Sequence, residues 1–108
     1  MNGAHRGTVE GAVAALNLYY REGCHLCEDM EQQLHELLEP GSFTLRRIDI
    51  DEDPELHELY NVRVPLLSLQ ASQNAPQHDE TELCEHFLDL EAVREALASY
   101  NRELPSGQ

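Results

Sequence analysis

The stretch of sequence that decides the fold joins an apolar run to an amphipathic one, and it reads Gly23-Cys24-His25-Leu26-Cys27. Before it, residues 14–20 (AALNLYY) are apolar and aromatic, which is typical of a buried strand. After it, apolar residues recur at helical spacing until a Pro-Gly pair ends the run, at Leu26, Met30, Leu34, Leu37 and Leu38. The motif therefore lies where a predicted strand meets a predicted helix, which is where open α/β sheets place their sites.

The rest of the chain continues the alternation of strands and helices. We expect strands over 43–50, over 62–69 with an interruption at Pro65, and over 82–88, together with helices that begin after Asp53 and Asp89. The predicted order is β-α-β-α-β-β-α. A strand–helix–strand start implies a parallel pair, and two strands joined by a loop imply an antiparallel pair. The sequence therefore predicts an α/β fold with a four-stranded mixed sheet and helices on both faces.

The length and composition fit one domain. With 108 residues, of which 41% are hydrophobic, the chain can build one core and no second lobe. We place this domain at residues 14–101. We expect residues 1–13, which show little apolar patterning, and residues 102–108 to be flexible tails.

The charge of the chain excludes several classes of partner. Twenty-one acidic residues against seven arginines and no lysine give a formal net charge of −14. Such a surface repels DNA and anionic lipid, so we expect no nucleic-acid partner and no membrane partner. The same negative charge argues, more weakly, for a monomer. The apolar run before the motif lacks the pattern of a signal peptide, and three cysteines are an odd number for a disulfide-stapled secreted domain. We therefore predict a cytoplasmic protein.

The two cysteines of the motif are the candidate catalytic residues. On the first turn of a helix, two residues three apart lie on the same side and can close a small disulfide ring. Cys24 falls at the N-cap, where free backbone N–H groups and the helix dipole favour a thiolate, so it is the predicted nucleophile. Cys27 lies one turn deeper and is the predicted resolving thiol. A Cys-x-x-Cys pair alone is shared by zinc and redox sites, but its position in a βαβ unit favours redox chemistry.

The first predicted helix is acidic along its length. Between residues 22 and 39 there are six carboxylates and no arginine, namely Glu22, Glu28, Asp29, Glu31, Glu36 and Glu39. A carboxylate in the opening turn opposes a thiolate on Cys24 by about one pKa unit. A helix N-terminus lowers a cysteine pKa by up to several units from about 8.5. We expect the thiolate to be favoured, but modestly.

Three segments resemble the glutaredoxins, and more closely a short glutaredoxin-like family of bacterial proteins: residues 18–27 (LYYREGCHLC), 48–51 (IDID) and 63–65 (RVP). The resemblance covers roughly residues 14–101. It implies the thioredoxin fold, thiol–disulfide oxidoreductase activity and no cofactor beyond a reductant such as glutathione. It also implies a cis peptide bond before Pro65 and backbone hydrogen bonds from Val64 to a bound substrate. Without the family, Pro65 is a strand-edge proline, and about 5–6% of X–Pro bonds are cis.

The sequence departs from the glutaredoxin pattern in three places. His25 and Leu26 stand where Pro and Tyr are usual, and Arg63 stands where a Thr is usual. The Gly-Gly turn that helps glutaredoxins seat the glutathione carboxylate is missing between Leu69 and Glu82. The predicted partner is therefore a disulfide-containing protein or a glutathione mixed disulfide, and the sequence does not choose between them.

Three further residues near the motif are candidate substrate-binding residues. Arg21 precedes the motif and Arg63 lies two residues before the proline, so we hypothesise that they clamp a substrate carboxylate by bidentate hydrogen bonds. The alternative is that each pairs with a local acidic residue on the surface, as exposed arginines commonly do. His25, beside Cys24, either shifts the proton balance near neutral pH or is a solvated side chain at the helix start.

Other uses of the thiols stay open at this point. Cys84 and His86 form a Cys-x-His pair that could join Cys24 and Cys27 in a zinc site, although a buried free thiol is the simpler interpretation of Cys84. The acidic cluster of Asp49, Asp51, Glu52 and Asp53 lacks the glycine and the terminal glutamate of a calcium loop, so we predict no metal site there. The alternative functions are a metal- or cluster-binding module without redox turnover and a redox-silent adaptor.

Overall fold

The computed structural model describes residues 13–70 and 80–103. Within these ranges the chain forms four strands, three helices and one 3-10 turn. In chain order they are β1 (Ala14–Tyr20), α1 (His25–Leu37), β2 (Phe43–Asp49), the 3-10 turn (Ile50–Glu52), α2 (Pro54–Tyr60), β3 (Leu66–Gln70), β4 (Glu80–Glu85) and α3 (Leu90–Glu103). Residues 1–12 and 104–108 of the predicted tails, and residues 71–79 of the predicted loop, lie outside the described residues.

The four strands form one mixed sheet in the order β2-β1-β3-β4. β1 is parallel to β2, with Ala14 opposite Phe43, and antiparallel to β3, with Leu16 opposite Leu69. β4 is antiparallel to β3 and forms one edge of the sheet. The predicted fold class and the order β-α-β-α-β-β-α are confirmed.

The central strand β1 is buried on both faces of the sheet, which explains why its sequence is almost continuously apolar. On one face, Leu16 and Leu18 join a cluster of buried residues from α1 and α3, including Met30, Leu34 and Val93. On the other face, apolar residues of β1, β3 and α2 pack together, including Tyr19, Ile50, Val64, Leu66 and Tyr60. The helices therefore cover both faces, as the sequence predicts, and β1 ends under the dithiol motif.

A buried polar network lies on the α2 face of the sheet. Asn17, Ser68 and Gln70 are fully buried, and the Asn17 amide donates to Gln70 Oε1 at 3.0 Å and to Glu80 Oε1 at 3.1 Å. The Ser68 hydroxyl donates to the same Glu80 oxygen, and the Tyr19 hydroxyl donates to Glu80 Oε2 at 2.6 Å. Because buried donors need acceptors, the Glu80 carboxylate ties β1, β3 and β4 together.

The third strand begins later than the pattern predicts. The N–H groups of Arg63 and Val64 both donate to Tyr60 O, at 2.8 and 3.2 Å, and so continue the last turn of α2. Residues 62–64 are therefore not part of the sheet, and β3 starts at Leu66 rather than at residue 62. Pro65, which has no N–H to donate, lies just before the strand.

The fourth strand is shifted toward the N-terminus by two residues at its start and three at its end. It runs over Glu80–Glu85 rather than 82–88, because His86 has a φ of +71°, which ends the extended conformation. β2 ends at Asp49 rather than residue 50, since the Asp49 side chain accepts from Asp51 N at 2.9 Å and caps the 3-10 turn. In both cases a local turn ends a strand that the hydrophobic pattern alone would extend.

No helix in residues 13–70 and 80–103 is both long and apolar enough to cross a membrane.

Candidate functional site: a dithiol at the start of the first helix

Cys24 is the N-cap of α1. Its backbone is extended (φ −97°, ψ 110°), its Sγ accepts a hydrogen bond from Cys27 N at 3.1 Å, and its carbonyl accepts from Glu28 N at 3.1 Å. Gly23 supplies the turn from β1 with a φ of +76°, a conformation that side-chain-bearing residues rarely adopt. The sulfur therefore occupies the capping position at the positive end of the helix dipole, as the sequence predicts.

The two motif cysteines are joined in a disulfide. Their Cα atoms lie 5.2 Å apart, within the usual range for a disulfide. Cys24 is half-buried, whereas Cys27 is only 3% exposed. Cys24 is therefore the more accessible of the two sulfurs to an external disulfide, and the division between nucleophile and resolving thiol stays a prediction.

The proline loop packs beside the dithiol. The Val64–Pro65 peptide bond is cis, as the family resemblance implies. Val64 is buried in the same apolar cluster as Cys27, and Cys24 packs against that cluster. The N–H of Val64 is already donated to Tyr60 O, so the hydrogen bonds that the resemblance assigns to Val64 and a substrate would have to use its carbonyl group.

Both candidate arginines are paired with carboxylates. Arg21 Nη2 lies 3.4 Å from Asp51 Oδ1. Arg63 contacts Glu82 Oε1 at 2.6 Å and Glu85 Oε1 at 2.9 Å. Hydrogen bonds to Glu82, then to Glu85, raise the pKa of the Arg63 guanidinium further above its ordinary value. Local pairing, the alternative to a carboxylate clamp, is thus what the structure contains, and a clamp would require a substrate to displace these partners.

A small cavity adjoins the motif on the side of β2. Its volume is about 50 Å³, and its lining includes Arg21, Gly23, Cys27 and Arg47. Arg47 lies over the Tyr20 ring, 4.5 Å from its centroid, and contacts Glu31 at 3.0 Å, which raises the pKa of Arg47. The cavity holds a water-sized group rather than a substrate.

His25, Glu28 and Asp29, at the start of α1, are exposed. His25 is the first residue of α1. Glu28 lies in the first turn of this helix, and Asp29 is the next residue. None of the three has a hydrogen-bond or ion-pair partner among the side chains that the structure describes. The proposed role of His25 and the balance that sets the Cys24 pKa stay predictions, because the sulfur is held in the disulfide.

His86 and Phe87 lie near the proline loop, which the sequence pattern does not indicate. His86 donates its backbone N–H to Pro65 O at 2.7 Å, and its Nε2 lies 2.9 Å from Val62 O. Phe87 is 70% exposed. The pattern places both inside a strand, and the only sequence signal at His86 is the Cys-x-His pair, which suggests a metal rather than a loop contact.

Cys84 is separate from the motif. It lies in the edge strand β4, packs against the cluster on the α1 and α3 face, and is a half-buried free thiol. Burial raises the pKa of Cys84. Across the described ranges, no cluster of three or more His, Cys, Asp or Glu side chains has the geometry of a metal site. A zinc site that combines Cys24, Cys27, Cys84 and His86 is therefore not formed in this structure.

Comparison with known proteins agrees with this geometry. The family model described as glutaredoxin-like domain (DUF836) matches residues 15–98, which include all four strands and the dithiol motif. The chain belongs to the glutaredoxin-like domain family. The resemblance that its motifs indicate is thereby confirmed.

Solved structures place this glutaredoxin-like domain among thioredoxin-fold proteins. Protein Ne2328 from Nitrosomonas europaea is 38% identical, with a TM-score of 0.63 over 78% of this chain and 91% of that chain. Protein XcR50 from X. campestris is 27% identical, with a TM-score of 0.53 over 78% of this chain and 96% of that chain. A thioredoxin variant from Halobacterium salinarum, 24% identical with a TM-score of 0.56 over 97% and 90%, shows the shared fold alone. No curated protein gives a significant match.

The glutaredoxin-like domain therefore combines a thioredoxin fold with a pair of cysteines at disulfide distance. This combination supports a role in thiol redox chemistry.

Proposed function

We propose that the protein is a thiol–disulfide oxidoreductase in which Cys24 is the nucleophile and Cys27 the resolving thiol. The observation that carries the proposal is the position of Cys24 Sγ. It caps α1, accepts the N–H of Cys27 at 3.1 Å and lies close enough to Cys27 to form a disulfide. Backbone donors aimed at a sulfur stabilise the thiolate, which is the reactive form.

The reaction balances with two protein thiols and one substrate disulfide. The Cys24 thiolate attacks one sulfur of the substrate, a new S–S bond forms to Cys24, and the other substrate sulfur leaves as a thiolate that takes up a proton. Cys27 then loses its proton and attacks Cys24 Sγ. The Cys24–Cys27 disulfide forms and the second substrate thiol leaves, so the substrate is reduced by two electrons and the protein is oxidised by two. A thiol or dithiol reductant returns the protein to the dithiol state.

The proline loop has a supporting role in this proposal. Val64 is buried against the cluster that holds Cys27, so its main chain lies beside the dithiol. We propose that the Val64 carbonyl accepts a hydrogen bond from the backbone of a substrate segment, since its N–H is donated to Tyr60 O. Pro65, which follows Val64, has no backbone N–H and so adds no donor of its own to this part of the loop.

A single-turnover experiment tests the proposal. The reduced protein, freed of reductant, is mixed with hydroxyethyl disulfide, and formation of the Cys24–Cys27 disulfide is followed by mass spectrometry. We expect the wild-type protein and Cys84→Ser to become oxidised at the same rate, and Cys24→Ser to remain reduced at residue 27. Equal reactivity of the wild type and Cys24→Ser would support the redox-silent adaptor instead. Metal retained by protein purified without reductant, with no oxidation, would support the metal-binding module.

A further inference from the structure

Exposed apolar side chains surround the dithiol. Leu26, inside the motif, is 37% exposed, while Val62 and Phe87 are 76% and 70% exposed. The three come from different segments but lie at one place, because Leu26 and Phe87 line the same groove and Val62 O contacts the His86 ring next to Phe87. Large apolar side chains that cluster on a surface mark a binding site more often than isolated ones do.

The groove has the size of one large side chain. It lies between α1 and the segment after β4 and has a volume of about 180 Å³. A cavity of about 150 Å³ accommodates a benzene ring. Its apolar lining comes from Leu26, Met30, Phe87 and Leu88, and its polar edge from Asp29, Gln33 and His86, whose Nε2 lies 2.9 Å from Val62 O. Leu26 stands between Cys24 and Cys27 in the sequence, so one wall of the groove belongs to the dithiol motif itself.

The charge at the groove edge is negative. Asp29 is exposed and has no ion-pair partner within residues 13–70 and 80–103. The arginines around the dithiol are already neutralised, since Arg21 pairs with Asp51, Arg63 with Glu82 and Glu85, and Arg47 with Glu31. Among the described residues that line the groove there is therefore one carboxylate and no arginine, on a chain with a net charge of −14.

We propose, building on the proposed function, that the substrate is a polypeptide disulfide whose cysteine is flanked by a large apolar side chain and by Lys or Arg. The apolar side chain occupies the groove between Leu26 and Phe87, and the cation faces Asp29. Glutathione has no apolar side chain, and its two carboxylates outnumber its single ammonium group, so it fits this apolar and acidic surface less well than such a peptide does. This surface therefore favours a disulfide-containing protein over a glutathione mixed disulfide, the two partner classes that the sequence leaves open.

Four chromogenic substrates test the proposal. Each of three is a short peptide with one cysteine joined in a disulfide to 5-thio-2-nitrobenzoate, and they differ only beside the cysteine: Lys with Leu, Glu with Leu, and Lys with Ala. The fourth is the glutathione disulfide of the same chromophore. Each substrate is added in excess to the reduced protein, together with a dithiol reductant that regenerates the protein thiols but reacts only slowly with the substrate itself. The rate of chromophore release then gives kcat/KM for that substrate.

The expected result is a ranking with two independent causes. The Lys-Leu peptide should exceed the Lys-Ala peptide by about fivefold, from burial of the larger side chain. It should exceed the Glu-Leu peptide by about threefold at low ionic strength, and this second ratio alone should fall toward one in high salt. The glutathione substrate should react more slowly than the Lys-Leu peptide.

Two variants and two controls assign these ratios to the groove. Asp29→Asn should bring the Lys-over-Glu ratio to about one and leave the Leu-over-Ala ratio unchanged. Phe87→Ala should bring the Leu-over-Ala ratio toward one and leave the Lys-over-Glu ratio unchanged. Glu36→Gln removes a carboxylate elsewhere on α1, and Leu59→Ala removes an exposed apolar side chain of α2, so both should keep both ratios. Each ratio is measured on one protein sample, so a partly unfolded variant does not distort it.

The outcomes separate this inference from the proposed function. Equal rates for all substrates, a preference for Glu or glutathione, or ratios unchanged in Asp29→Asn and Phe87→Ala would overturn the substrate class while leaving an active oxidoreductase. The proposed function, and this inference with it, would be overturned if the wild type released the chromophore from the peptides no faster than Cys24→Ser and was not oxidised faster than Cys24→Ser by hydroxyethyl disulfide.

Discussion

The backbone N–H of His86 donates to the carbonyl oxygen of Pro65 at 2.7 Å, which ties the end of β4 to the proline loop beside the dithiol. The His86 ring adds a second contact, 2.9 Å from Val62 O. His86 holds a left-handed backbone conformation, with φ at +71°, which costs a side-chain-bearing residue about 1–2 kcal/mol. The two hydrogen bonds offset this cost, so we infer that His86 is a positioning residue for the loop.

Substitution of His86 tests this positioning role. His86→Ala removes the ring contact to Val62 and keeps the unfavourable φ, so we expect KM for a peptide disulfide to rise about threefold or more with a smaller change in kcat. His86→Asn keeps a short donor and tolerates the left-handed conformation, so it should restore most of the loss. Steady-state kinetics with the Lys-Leu peptide measures both. An unchanged KM in His86→Ala would show that the contact is structural only.

The pKa of the Cys24 thiol provides a second test. In a background of Cys27→Ser and Cys84→Ser, we expect the Cys24 pKa to lie below the free-thiol value of about 8.5, because the start of α1 points its N–H groups at the sulfur. Glu28→Gln removes a negative charge from the opening turn, so the pKa should fall further, by up to about one unit. The pH dependence of iodoacetamide alkylation measures it.

The control for this titration is Glu36→Gln, which removes a carboxylate near the other end of α1 and should leave the Cys24 pKa unchanged. A Cys24 pKa above the free-thiol value would mean that the acidic surface outweighs the helix terminus. In that case the proposed nucleophile would be mostly protonated at neutral pH.

Tyr19→Phe tests the buried polar network. The substitution removes the hydroxyl that donates to Glu80 Oε2 at 2.6 Å, and a hydrogen bond to a charged acceptor contributes about 1.5–3 kcal/mol. We expect the free energy of unfolding to fall by about that amount in urea denaturation. Tyr100→Phe, whose hydroxyl has no hydrogen bond to the described residues, is the matched control. A loss in Tyr19→Phe no larger than in the control would show that Glu80 does not need this donor.

Charge reversal at Arg21 and Arg63 distinguishes a carboxylate clamp from local pairing. A clamp predicts a large rise in the KM of an anionic disulfide. Since the guanidiniums already contact Asp51, Glu82 and Glu85, we expect a change of less than about threefold. Glutathione mixed disulfide is the substrate to use, and a tenfold rise would support the clamp.

The sequence predicts those parts of the site that depend on local chain geometry. Cys24 is an N-cap because the apolar run of β1 ends at Tyr20, four residues earlier, and Gly23 permits the turn. The helical spacing after Leu26 fixes α1, and the nearly continuous apolar run of residues 14–20 fixes β1. The cis bond before Pro65 follows from the family resemblance and not from composition or spacing.

Contacts between segments distant in sequence could not be predicted in the same way. His86 lies 21 residues after Pro65 along the chain, and nothing in its neighbours indicates a left-handed conformation. Likewise, Arg63 pairs with Glu82 and Glu85 of β4, a strand whose bounds the hydrophobic pattern misplaces by two residues at its start and three at its end. The pattern detects apolar periodicity, whereas hydrogen bonds at strand ends set these boundaries.

Trapping of the mixed disulfide tests the central claim most directly. Reduced Cys27→Ser is mixed with a peptide disulfide, and the site and rate of adduct formation are found by peptide mass spectrometry at neutral pH. The account predicts a stable adduct on Cys24 and little on Cys84, whose pKa is raised by burial. An adduct that forms first on Cys84, or equal labelling of Cys24 in native and denatured protein, would contradict the claim that the start of α1 activates this sulfur.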